Sequence, residues 1–223
     1  MSDTDSFIDE VTEEVRRDRL FGMIRRYGWI AALVVLAIVG GAAWKEWRAA
    51  QDTAQAQALG DGIVAALEED DPATRAEALA SLDVASPGGQ AVRGFLLSAQ
   101  HQAAGDRDAA IAALDGITRL QDLPEIYGQI AAFKLLVLQG DDLSAQERRT
   151  AFAGLARPGV PLRMLAEEQL ALIDISEGQI DAAITRLRAI LEDAETTSDL
   201  QQRASQAIVA LGGSLEPRAS ADQ

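Results

Sequence analysis

The sequence predicts an all-helical protein: a single N-terminal transmembrane helix followed by an α-solenoid of antiparallel helix pairs. Three observations carry that prediction. A run of 18 residues without a charge lies between Arg26 and Lys45. Helix breaks centred on glycine recur at Gly105, Gly140 and Gly178, at intervals of 35 and 38 residues. Beyond the apolar run no stretch is rich in β-branched or aromatic residues, and Phe, Tyr and Trp make up only 4% of the chain, so nothing reads as a strand.

The apolar run decides the first element. At about 1.5 Å per residue it gives roughly 27 Å of helix against a hydrocarbon core of about 30 Å. Ile30, Leu33, Val34, Val35, Leu36, Ile38 and Val39 each favour insertion, and no charge opposes them. Tyr27 and Trp29 at one end, with Trp44 and Trp47 at the other, stand where amphipathic rings prefer the headgroup level. A cleaved signal peptide is the alternative, with "GGAA" at 40–43 as its cleavage site, but the 26 residues before the run are too many for a short basic leader. Arg16, Arg17, Arg19, Arg25 and Arg26 precede the run, whereas only Lys45 and Arg48 closely follow it. That asymmetry places the N-terminus in the cytoplasm and the rest outside. Before the run, Phe7, Ile8, Val11 and Val15 share a helical stripe, and Glu13 is spaced to meet Arg16 and Arg17, giving either a docking helix or a solvated tail.

Charge narrows the partners of the remainder. The chain holds 20 basic and 35 acidic residues, and about 15 against 28 of them follow Arg26, a net charge near −13. Such a surface repels nucleic acid, whose binding needs clustered Lys and Arg. With no cysteine, thiol catalysis and thiolate metal sites are excluded.

The glycine breaks define the repeating unit. A left-handed glycine ends the first helix of a pair, and an aspartate after it, Asp106 or Asp141, caps the next. The spacing approaches the 34-residue tetratricopeptide period. Aligned on the glycines, Ser98, Phe133 and Ala171 take the position where that repeat wants a small residue, and Ala110 and Ala183 take its second-helix alanine. Ile180, Ala183, Ile184, Leu187, Ile190 and Leu191 form one apolar stripe. The anchor helix continues outward to about Glu69, and Asp71-Pro72 starts a helix. "SPGGQ" at 86–90 reads as a loop. Helix pairs follow near 90–118, 124–155 and 160–193, with a closing helix near 199–211. The organisation is therefore a cytoplasmic amphipathic tail over 1–26, the anchor over 27–47, a helical extension and first hairpin over 48–88, repeats with a closing helix over 89–211, and a disordered tail over 212–223.

In this order of elements the chain resembles the YfgM-like tetratricopeptide family. The acidic then basic leader, the span ending "AAWKEWRAAQ", and the later "LGDGIVAAL" and "YGQIAAFKLLVLQGD" carry the resemblance from about Phe7 to Leu211. It implies a single-pass protein of the bacterial inner membrane with a periplasmic repeat domain, an ancillary subunit of the SecYEG translocon. The partners it implies are proteins, among them a membrane-anchored periplasmic prolyl isomerase or other chaperones. In the wider superfamily the binding groove is lined from positions 13, 10, 6 and 3 before each hairpin glycine. Carried over, that rule selects Phe95 and Gln102, Tyr127 and Lys134, and Leu165 and Glu168 as a candidate partner groove. The alternative for Phe95, Tyr127 and Leu165 is packing against neighbouring segments.

No catalytic set emerges. His101 is the chain's one histidine and sits where a repeat helix faces its neighbours, and one His without Cys assembles neither the usual metal sites nor a Ser/His dyad. The acidic runs at 68–71 and at Asp141 and Asp142 read as helix-end charges, since no 12-residue calcium loop surrounds them. "GDGIVAAL" lacks the lysine and the strand of a phosphate loop. The sequence thus points to a non-enzymatic adaptor without cofactor, metal or small-molecule substrate, linking the translocon exit to envelope chaperones. The runner-up is a self-associating scaffold for cell-envelope assembly, for which Ala37 and Gly41 offer a small-residue pair on the span.

Overall fold

A computed structural model describes residues 3–215, with the side chains of residues 3–24, 27, 28, 31 and 32 outside the described residues. Every regular element among the described residues is a helix. They are α1 (Asp3–Leu67), α2 (Pro72–Ala80), α3 (Pro87–Ala103), α4 (Arg107–Thr118), α5 (Glu125–Gln139), α6 (Ala145–Leu155), α7 (Arg163–Ser176), α8 (Ile180–Glu192) and α9 (Ser198–Ala210), with a single 3₁₀ turn at Gly140–Asp142. The chain forms two compact units, Met1–Ala58 and Leu59–Gln223.

Within the first unit α1 is continuous, and every described side chain from Leu33 to Ala58 is exposed, Trp44 and Trp47 included. Those two rings rest against each other with centroids 5.3 Å apart. Trp29 is exposed as well, while the side chain of Tyr27 lies outside the described residues, as do those of the amphipathic stripe over 7–15. Among the described residues no helix offers a window long and apolar enough to cross a membrane; the expected span runs through Tyr27, Gly28, Ala31 and Ala32, whose side chains are outside that set. The helix expected to continue outward from the anchor to about Glu69 runs unbroken to Leu67, and along it packing begins where apolar side chains find partners, at half-buried Leu59 and Ile63 and at buried Ala66.

The second unit runs as consecutive helices, each packed on its chain neighbours, an arrangement consistent with an α-solenoid. Three apolar clusters follow one another along it. Ala91, Leu114, Ile117 and Ala131 join α3, α4 and α5; Phe152, Ala166, Leu170 and Ile173 join α6 and α7; Ala171, Leu187, Ile190, Leu200, Ala204 and Ile208 join α7, α8 and α9. The expected small positions Ser98, Ala110, Ala171 and Ala183 are fully buried where helices approach closely. Phe133, the bulky exception, meets Phe152 of α6 edge-on with centroids 5.7 Å apart.

The glycine turns form as expected. Gly105, Gly140 and Gly178 have φ of +80°, +46° and +75°, a region open to glycine and costly for other residues. After Gly105 and Gly178 the chain closes identically: Asp106 N–H bonds the His101 carbonyl and Gln179 N–H the Asp174 carbonyl, both at 2.8 Å, satisfying helix-end acceptors. Asp71 caps α2 and Asp106 caps α4 through the backbone N–H of Thr74 and Ala109.

Three expectations are corrected. The segment 86–90 is a helix start: Ser86 Oγ accepts from Gly89 N–H and Pro87 occupies the first turn, where its fixed φ and missing N–H cost nothing. Gly89 is needed for packing, since a Cβ there would stand 2.6 Å from Val84 Cγ1 and 2.8 Å from Leu59 Cδ2. Asp141 does not cap α6. Ser144 does, in a reciprocal box with Glu147 (Glu147 N–H to Ser144 Oγ 3.2 Å, Ser144 N–H to Glu147 Oε2 2.9 Å), leaving Asp141 to pair with Arg148. Finally, Gly212 to Leu215 do not begin a disordered tail. Gly213 N–H closes α9 on the Ile208 carbonyl at 2.9 Å, and Arg188 donates to the Ser214 carbonyl at 2.8 Å. Residues 216–223 lie outside the described residues.

Candidate protein-binding groove

The helices that end in a left-handed glycine, α3, α5 and α7, are the first members of their pairs, and α9 ends the same way at Gly212 with φ +78°. They carry all six candidate groove residues, which the structure sorts into two kinds. Phe95 and Tyr127 are both half-buried and converge on the α3–α5 cluster, and Leu165 packs on the α7–α9 cluster beside the closing helix. For these three the packing alternative is realised. Glu168 is held by Arg203 of α9, whose Nε and Nη2 donate at 2.7 and 2.8 Å, and this bidentate bond raises the guanidinium pKa. It clamps two helices together and is no freely presented recognition group. Gln102 is exposed, with its amide turned back to Ser98 of its own helix at 3.2 Å, and Lys134 is exposed.

The same register finds what residue type had hidden. Over 68–214 the large apolar side chains that remain exposed are Val92, Val137, Leu172 and Val209, at 38%, 48%, 48% and 58%. They lie 13, 3, 6 and 3 residues before Gly105, Gly140, Gly178 and Gly212, one on each glycine-terminated helix. The signal was present in the sequence. Val92, Val137 and Leu172 stand on the same register as the six residues above, and Val209 extends it to the closing helix.

A second feature had no local signal. Asp174, 1% exposed, accepts from Arg149 Nη1 of α6 at 2.6 Å and from Arg186 Nε of α8 at 3.1 Å. Each arginine reaches a second acid, Glu177 and Glu167 respectively, at 2.6 Å. The hydrogen bond to Asp174 foremost raises the Arg149 pKa; for Arg186, burial opposes the charge and the bonds to Glu167 and Asp174 outweigh it. The network fastens three consecutive helices around one buried carboxylate.

A cavity of about 600 Å³ opens beside it between α7 and α8. Four of its five charged lining groups are paired, Arg186 with Glu167 and Arg163 with Asp193 at 2.6 and 2.7 Å, Arg163 also reaching Glu195 at 2.8 Å, while Asp181 lines the cavity outside these pairs. His101 is half-buried in the last turn of α3 and does not line this cavity. Among the described residues no group of three or more His, Asp or Glu side chains is placed to hold a metal ion. What fold and site define together is a helical-repeat-like chain whose open apolar side chains share one register. No family model matches the chain, and neither a characterised protein nor a solved structure is significantly similar to it.

Proposed function

We propose that the protein is a single-pass adaptor of the bacterial inner membrane, with its N-terminus in the cytoplasm and a tetratricopeptide-like domain in the periplasm that binds proteins at the Sec translocon exit and links them to envelope chaperones. The observation that carries the binding reading is the register of Val92, Val137, Leu172 and Val209. Four large apolar side chains, one per glycine-terminated helix, remain 38–58% exposed and are suited to holding an apolar segment of another protein. The membrane reading is supported by the run Leu33 to Val39, exposed along a continuous helix and flanked by exposed tryptophans, since lipid covers such a surface and water does not. The translocon and the prolyl isomerase as partners follow from the family resemblance alone.

Self-association is the second reading, favoured by the exposed small-residue pair Ala37 and Gly41 one turn apart on α1, where a Cβ at Gly41 would meet nothing within 4 Å. One experiment separates the two. Photo-crosslinking side chains placed at Lys134 and Leu172, with Glu192 on α8 as the control position, are activated in intact cells. Capture of translocon subunits or envelope chaperones from the first two positions and not from the control supports the adaptor. Capture of a second copy of the chain alone replaces it with the scaffold, and equal capture from all three positions refutes the groove.

A further inference from the structure

We propose that the helical array of the second unit bends at a hinge in the turn Gly140–Asp142, between a lobe of α2 to α5 and a lobe of α6 to α9, and that the Arg107 side chain latches it. The packing divides at this turn. Helix α7 gives buried residues to the clusters on both of its sides, Ala166, Leu170 and Ile173 to one, Met164 and Ala171 to the other. Helix α5 gives its buried Ala131 to the α3–α5 cluster, and it is half-buried Phe133 and Leu136 that reach across to the α6–α7 cluster. Of the neighbours in chain order from α2 to α9, α5 and α6 pack most sparsely. A cavity of about 300 Å³ lies open at that seam, lined by Ile117, Leu120, Leu123 and Ala132 of the first lobe and by Leu155 of α6, where a protein interior would be filled.

The turn is closed differently from those at Gly105, Gly178 and Gly212. Each of these three is followed by an N–H that bonds the carbonyl five residues back, the last being Gly213 N–H to Ile208 at 2.9 Å. After Gly140 no such bond forms among the described residues: its φ of +46° comes with a ψ of −121°, outside the left-handed helical well, where ψ is about +47°. Two of the last carbonyls of α5 are met from α4 instead. Arg107 donates Nε and Nη2 to the Leu138 carbonyl at 3.1 and 2.8 Å and Nη2 to that of Gln139 at 2.8 Å. Its Nη1 reaches the Asp142 carboxylate at 2.5 Å, so one guanidinium grips both ends of the turn. The Arg107 and Asp142 side chains keep 45% and 60% of their surface in water, and a pair so exposed breaks and re-forms readily. The joint of α6, α7 and α8 has the opposite character, fastened around the buried Asp174 carboxylate.

Hinges are a few loop or element-terminal residues that absorb large backbone changes, and a three-residue turn entered through glycine, closed by a side chain rather than by the backbone, has that form. The seam also divides the exposed apolar register. Val92 and Val137 stand on the first lobe, Leu172 and Val209 on the second. A segment of another protein lying along all four crosses the hinge, so bending sets the spacing of the two halves and the latch sets its range. This consequence rests on the reading of the register as a binding groove; the hinge itself does not.

The chain contains no cysteine, so pairs of introduced cysteines carry spin labels on the full-length protein in mild detergent without interference. Ala112→Cys with Gln206→Cys spans the seam, whereas Glu77→Cys with Ala112→Cys and Ala153→Cys with Gln206→Cys each stay within one lobe; all four positions are exposed. Double electron–electron resonance reads the distance distributions. Arg107→Gln is expected to widen the cross-seam distribution about twofold, as a freed collective hinge motion does, and to leave both within-lobe widths unchanged. Gly140→Ala should move the centre of the cross-seam distribution, because its backbone combination is costly for alanine. Circular dichroism verifies helix content; should Arg107→Gln unfold, Asp142→Asn, which frees one end of the turn, carries the decision with the same expected widening. A cross-seam distribution unmoved in the folded variants overturns the hinge. So does equal widening of all three pairs, which would mean a general loosening of the fold. Photo-crosslinking from Leu172 in the Arg107→Gln background reads the consequence for the groove: capture should fall, and undiminished capture beside a widened distribution overturns that consequence. Absence of capture in the parent chain refutes the groove reading, while the distances still decide the hinge.

Discussion

Replacing Asp174 by asparagine removes the charge on which α6, α7 and α8 converge. Two charge-assisted hydrogen bonds are at stake, each contributing about 1.5–3 kcal/mol. The full sum does not apply, because Arg149 and Arg186 keep 26% and 30% of their side-chain surface in water and each retains a second carboxylate. Asparagine also preserves one acceptor, although its amide then confronts a guanidinium donor. Discounting for these leaves about 2 kcal/mol, roughly thirtyfold in the folding equilibrium. For a unit of this size that lowers the melting temperature by about 4–8 °C. The assay is urea and thermal unfolding of the fragment 59–215, wild type against variant, with hydrogen exchange to place the loss. Protection should fall first in α6 to α8, since a helical array unfolds through its weakest neighbour contacts. A change below about 0.5 kcal/mol, or a loss of protection centred on α3 and α4, would refute the reasoning.

Gly89→Ala should destabilise the fragment by about 1–2 kcal/mol despite alanine's better helix propensity, because its Cβ would collide with Val84 and Leu59; a neutral or stabilising effect in urea unfolding would restore the loop reading of 86–90. Glu147 is held below its ordinary value of 4.5 chiefly by the Ser144 hydroxyl, and Asp193 below 3.8 chiefly by the Glu195 N–H. Both folded-state pKa values are depressed, so both groups add stability above about pH 5 that drains away as pH falls through 4.5 and lower. Glu147→Gln should therefore flatten the acid limb of the stability profile and leave its slope above pH 6 unchanged; an identical acid limb would count against the capping box. Val35→Arg should weaken membrane insertion by about 3 kcal/mol, and undiminished resistance to carbonate extraction would displace the span from 27–47.

Much of the helix plan was legible because it rests on signals local in the chain. Gly105, Gly140 and Gly178 announced left-handed turns, Asp106 announced the cap after one of them, and Asp71-Pro72 announced a start. Where two local signals competed, the reading failed: paired glycines at 88 and 89 outweighed Ser86-Pro87 as a helix beginning, although only close packing against Leu59 and Val84 explains why a glycine stands at 89. Asp141 lost its capping role to Ser144, whose partner Glu147 three residues on was there to be read. The pairings of Asp174 with Arg149, 25 residues away, and of Glu168 with Arg203, 35 residues away, leave no trace in any local window. Among the six groove candidates, Phe95, Tyr127 and Leu165 are drawn onto apolar clusters and Glu168 into a clamp with Arg203, contacts that depend on the tertiary arrangement, while Gln102 and Lys134 stay exposed.

The way the arginines are engaged has a chemical consequence. In the second unit, Arg75, Arg93, Arg157 and Arg188 hold backbone carbonyls, while Arg107, Arg119, Arg148, Arg149, Arg163, Arg186 and Arg203 hold carboxylates. Among the described residues of that unit, Lys134 is the cation drawn into no such bond, and the whole chain has one other lysine, Lys45. Amine-reactive reagents therefore meet a single nucleophile in the folded helical array, midway along α5. A dye or spin label delivered by acylation lands there without mutagenesis, and mass spectrometry of that one peptide reports whether anything has come to cover it.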